Sequence, residues 1–142
     1  MKSYKLASQY FIYAYLIATI VGFISYNISI IFMWIILFTL MPLVFGYVFY
    51  LYLKKTECKI TEVTKETNSL IIFWIIVSFF TDGIAYIFII PIIFGYKSNW
   101  TFFIDQTPWI WLNYLTLVLI GYTSRYFFIR NTTNKYINKG MH

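Results

Sequence analysis

The chain has 142 residues, of which 61% are hydrophobic and 11% charged, and carries a formal net charge of +6. That length fits one domain, and so apolar a composition leaves too little polar surface for a water-soluble globule; the class it implies is an integral membrane protein, all-α by the pattern of its runs. The basic residues stand at the edges of long apolar runs rather than on a face of their own, which excludes nucleic acid as a partner and points to membrane lipids.

The first apolar run extends from about Leu6 to Tyr26, behind Lys2 and Lys5. At about 1.5 Å of rise per residue it crosses the roughly 30 Å hydrocarbon layer. It exceeds the about 7–15 residues of a signal-peptide core, and Ile24-Ser25-Tyr26-Asn27 offers no small-residue cleavage site, so a retained helix is expected. Ala14, Ala18 and Gly22 recur every fourth residue, a stripe that lets another helix approach closely. After a short Asn27-Ile28-Ser29 turn, a second run from about Ile30 to Leu53 ends at Lys54-Lys55, with a kink predicted at Pro42. The segment Lys54–Ser69, mixed in charge, reads as a solvated loop without the ligand spacing of a calcium loop or the glycines of a phosphate loop.

A third run from about Leu70 to Tyr96 carries Asp82 near its middle and Pro91 toward its end. The connector from Lys97 onward is polar and aromatic, and its Trp100, Phe102, Phe103 and Ile104 are expected at the headgroup level. Thr107-Pro108 predicts a helix start, with Thr as N-cap and Pro as the first helical residue. The fourth run extends from about Trp109 to Ile129, followed by Arg130 and a polar tail to His142. Membrane strands would alternate polar and apolar residues, whereas Leu70 to Val77 is apolar at every position, so helices are favoured over a barrel.

The expectation is a four-transmembrane-helix bundle. Lys97 stands alone on one side, and every other Lys and Arg falls on the other, which places the amino end, the 54–69 loop and the carboxyl tail in the cytoplasm. Heavy use of Ile, Phe, Tyr, Asn and Lys suggests an AT-rich genome, and a bacterial cytoplasmic membrane is the expected location.

Asp82 is the principal candidate for function, because a carboxylate amid hydrocarbon costs roughly 2.5–3.5 kcal/mol on insertion scales and something must satisfy it. Two readings follow. In one, Asp82 binds a proton, a cation or a cationic substrate, with Thr81, Ser78, Asn113 and Thr116 around it; in the other it is a structural acid bonded to Thr39 or Thr116. Asn113, Thr116 and Ser124 share a mildly polar helical face that would line a cavity beside it. By helical rise Asp82 lies about 18 Å from the inner boundary and Arg125 only about one turn from it, so Arg125 and Arg130 are assigned to lipid headgroups.

The single Cys58 forms no intrachain disulfide, and the single His142 lies beyond the last run, so neither supplies a redox pair or an intramembrane metal ligand. No catalytic residue, metal or cofactor is expected. The functional expectation is a non-catalytic accessory, protective (immunity-type) or complex-subunit protein acting on another membrane protein, a lipid or a copy of itself. The alternative is a small oligomeric transporter or channel built around Asp82.

Overall fold

The computed structural model describes residues 1–140, and 1–134 with their side chains; His142 and the side chains of Lys135 and Lys139 lie outside what is described. Every regular element among the described residues is helical: α1 (Tyr4–Ile28), α2 (Ile30–Lys55), α3 (Val63–Asp82), a π-helical segment (Gly83–Ile89), α4 (Ile90–Ile93), α5 (Phe102–Asp105) and α6 (Trp109–Gly140). Helices are what apolar sequence requires in lipid, where no water satisfies a free backbone group. Three of them are long and apolar enough to cross a membrane, Tyr4–Ile28, Ile30–Lys55 and the continuous stretch Val63–Ile93. The 32 residues of α6 match them in length but include Asn113, Thr116, Ser124 and Arg125.

Side-chain contacts define the order of the bundle. Ser3 meets Tyr52 and Gly22 faces Leu37, so α1 and α2 are antiparallel. Tyr15 meets Asp82 and Ala7 meets Trp74, so α1 and α3 run the same way. Trp34 stacks on Trp109 and Ser124 bonds Gly46, so α2 and α6 also run the same way. One end of the bundle gathers Lys2, Lys54, Lys55 and Arg125; the other gathers Trp34, Trp100, Trp109 and Trp111.

The core is centred on Trp74, 1% exposed, whose indole packs against Phe11 of α1 and edge-on against Phe45 and Phe49 of α2. Its Nε1–H donates to the Ala7 carbonyl at 3.1 Å. Close approach at Ala7 and Ala14, both fully buried, makes room for these rings. At Gly121 the crossing with α3 is tighter still, since a Cβ there would stand 2.5 Å from Ile71 Cγ1 and 3.2 Å from Phe49.

The ends of the helices follow from local chemistry. Ser29 alone links α1 to α2: its N–H closes α1 on the Ser25 carbonyl, and its hydroxyl accepts from Phe32 N–H to open α2. Two helices end in the same six-residue motif with a left-handed residue after the cap. Gly95 (φ 71°) donates to Ile92 while Tyr96 donates to Pro91; Glu57 (φ 48°) donates to Lys54 while Cys58 donates to Leu53. Cys58 and Leu53 are then both buried in the core, the apolar contact this motif favours.

Several boundaries depart from the sequence reading. Helix α3 begins at Val63 rather than Leu70, because Val63, Glu66 and Thr67 turn inward and extend its buried stripe into the segment expected to be a solvated loop. Helix α2 continues through Pro42, whereas Pro91 is preceded by the π-helical turn. A proline N–H is missing there, and the Ile87 carbonyl four residues back accepts instead from the backbone of Asn99. Thr107 is not a cap for α6, which starts at Trp109 rather than Pro108; its hydroxyl donates to the Phe103 carbonyl and accepts from Trp111 Nε1.

These two left-handed positions generate opposite predictions. Gly95 has open space around its Cα, so Gly95→Ala meets only the conformational cost and is expected to lower stability by about 1 kcal/mol. Glu57→Gly removes the same cost and is expected to raise stability by about 1 kcal/mol. Reversible unfolding in detergent micelles measures both.

Candidate functional site

The side chains at every fourth position of α3 from Glu66 onward, namely Leu70, Trp74, Ser78 and Asp82, are all buried. This stripe carries Asp82 to the point where α1, α3 and α6 meet. Its carboxylate is 5% exposed, and each oxygen has its own donor. The Tyr15 hydroxyl of α1 donates to Oδ1 at 2.7 Å, and the Tyr114 hydroxyl of α6 donates to Oδ2 at 2.8 Å. Tyr15 stacks on Phe11 of the core, and Tyr114 lies on the α6 stripe that buries Ile110, Leu117 and Ile120. Both donors are therefore held by packing before they meet the acid.

Beyond Asp82 the helix widens into the π-helical segment, and α5 folds back against it. Phe102 stacks on Tyr86 with centroids 4.8 Å apart, and Phe103 stacks on Phe79 at 4.7 Å. Phe103 also lies beside Gly83, where a Cβ would stand 3.7 Å from its ring, an ordinary contact. The connector aromatics thus divide. Trp100 and Ile104 are exposed, as expected of headgroup residues, but Phe102 is buried with Ile110 and Tyr114, and Phe103 packs against them. This cluster shares Tyr114 with the carboxylate, so the packing at the tryptophan end is continuous with the acid's own donor.

The other residues singled out in the sequence do not gather around Asp82 as a binding site. Ser78 is buried one turn before it. Thr81 donates to its own helix at the Val77 carbonyl, Thr116 to Leu112 and Thr39 to Ile35, so neither of the threonines expected as partners bonds the acid. A threonine in a helix satisfies its hydroxyl on the preceding turn more readily than across a helix gap. Asn113 is half-buried, and Ser124 bonds the Gly46 carbonyl of α2 at 3.0 Å, so the polar face of α6 tethers a neighbour rather than lining one cavity. Two clefts open at the lysine end, and Asp82 lines neither of them. Arg125 donates to Thr64 at 3.4 Å and lies over the Tyr122 ring, while its buried Nε has no partner; Arg130 is exposed.

A second buried acid escaped the sequence reading. Glu66, assigned there to the solvated loop, is buried; its Oε1 accepts from the Tyr52 hydroxyl of α2 and, at 2.6 Å, from the Lys2 backbone N–H. Tyr52 in turn accepts from Ser3 N–H at 3.3 Å, and Lys2 Nζ lies 3.3 Å from Glu62. The signal was the register of Glu66 with Leu70 and Trp74, masked by the charged residues beside it.

No protein-family model, curated protein or solved structure matches the chain. Its chemistry rests on its own residues. The Asp82 arrangement predicts that Tyr15→Phe and Tyr114→Phe each lower stability by about 0.5–2 kcal/mol, the range for a hydrogen bond between membrane helices. Combined with Asp82→Ala, which removes both acceptor oxygens, either should be less than additive, because the same bond is removed twice. Additive losses in a double-mutant cycle would dissolve the assigned contacts.

Proposed function

We propose that the chain is a small multi-pass protein of a bacterial cytoplasmic membrane that crosses the bilayer four times, with both ends inside. In this reading it acts as a non-catalytic accessory, protective or complex-subunit protein. The fourth crossing is assigned to α6 because it is at least as long as the other long helices and lies beside α2 and α3, ending past Arg125 and Arg130. The orientation rests on Lys97 being the sole basic residue at the tryptophan end.

The observation that carries the functional reading is the saturation of Asp82. A transport carboxylate must exchange its partners for an ion or substrate along a wetted path. Here both oxygens are engaged by tyrosines from two helices, Asp82 is 5% exposed, and Tyr114 itself is packed in the Phe102 cluster. Such an acid specifies helix packing, and leaves the broad exposed apolar surface as the part of the molecule that meets lipid or another membrane protein.

Two measurements test this. Proteoliposomes containing the wild-type chain should pass protons and monovalent cations no faster than empty vesicles; flux abolished by Asp82→Asn would establish the transporter instead. In intact cells, Ser98→Cys in a Cys58→Ser background should react with an impermeant thiol reagent, and Thr61→Cys only after permeabilisation. The reverse pattern would invert the orientation. Native Cys58 should label slowly in either case, because it is buried and burial pushes its thiol above the usual range.

A further inference from the structure

At the lysine end a cleft of about 740 Å³ opens between the last turns of α2, the 56–62 connection and the Phe128–Thr132 stretch of α6. Tyr50 and Phe128 form its wall, their rings edge to face at 6.1 Å, and Asn131 donates to the Tyr50 hydroxyl at 3.4 Å. Lys54 and Lys59 stand on the rim with exposed side chains, opposed by the single carboxylate of Glu57. The rim is therefore cationic on balance, and its polar lining offers donors. Above the cleft, Leu43, Tyr47, Tyr50 and Lys54 recur at helical spacing on one face of α2, with Leu43 70% and Tyr47 65% exposed. A continuous apolar track thus leads into a cationic recess.

The geometry points to a binding site for one anionic phospholipid, its phosphate held by Lys54 and Lys59 and an acyl chain laid along Tyr50, Tyr47 and Leu43. An amphiphile is favoured over free phosphate because the cationic recess and the exposed apolar track are joined; a soluble anion would use only the first. The inference rests on the reading that this end of the bundle lies at a membrane surface.

The test uses the full chain in a neutral detergent, with thermal unfolding followed by tryptophan fluorescence. Phosphatidylglycerol should raise the midpoint by about 5 °C, with phosphatidylcholine and inorganic phosphate giving little shift. The variant Lys54→Gln/Lys59→Gln should lose most of that shift and Lys54→Arg/Lys59→Arg should keep it, as should the control Lys55→Gln/Lys65→Gln, which removes the same charge elsewhere. Native mass spectrometry should find one phosphatidylglycerol retained per wild-type chain, a readout independent of how well each variant folds. Equal shifts from phosphatidylcholine, an equal shift from phosphate alone, or an equal loss in the control would each overturn the site. A chain that stays folded and soluble without detergent would overturn the membrane reading itself, an outcome separate from these.

Discussion

Helix α3 must hide two carboxylates in an otherwise apolar bundle, and the way it does so organises the other helices. Glu66 and Asp82 lie toward opposite ends of one buried stripe with Trp74 between them. Asp82 recruits a tyrosine from α1 and another from α6, Glu66 recruits Tyr52 from α2, and Trp74 bonds α1 and packs against α2. Every long neighbour of α3 is thus tied to it by a directional contact. In lipid, apolar surface alone gives helices little reason to prefer one partner or rotation over another, because acyl chains solvate leucine as well as another leucine does. Hydrogen bonds and close packing at small residues then supply the specificity.

That the donors are tyrosines has a chemical consequence. A phenol brings a large apolar body that packs like any core ring, and a single polar tip that reaches a carboxylate oxygen. Tyr15 and Tyr114 can therefore satisfy Asp82 without admitting water or a second charge. The arrangement differs from the acid–base or acid–cation pairs of transport sites, which need partners that come and go. The same logic operates at Glu66, where Tyr52 bridges the carboxylate to the Ser3 backbone and the first residues of the chain are drawn onto the bundle.

The end of α3 shows how a local defect is put to use. Pro91 withholds an N–H, the preceding turn relaxes into a π-helical segment, and the unpaired carbonyl of Ile87 is met by Asn99 from the returning connector. Gly95 then reverses the chain. The result brings Phe102 and Phe103 back onto Tyr86, Phe79 and Tyr114, so the break in the helix and the packing around one of the acid's donors come from the same short stretch of chain.

What the sequence determined by itself was set by solvent and by near neighbours along the chain. Three apolar runs are long enough and free enough of charge to form helices that could cross a membrane, the Ser29 hairpin is capped by its own hydroxyl, and the stripe of Ala14, Ala18 and Gly22 marks a face that packs, with Gly22 against Leu37 of α2. Asp82 stood out because a lone acid in an apolar run demands a partner. The identity of that partner was decided only by the tertiary structure. Thr39 and Thr116 fit by polarity but bond their own helices, while Tyr15 and Tyr114, two of fourteen tyrosines, are selected by helix rotation and packing. Glu66 was lost among charged neighbours for the same reason: whether a residue at a helix end faces water or the core depends on which elements cover it, and that information lies in contacts between residues far apart in the chain.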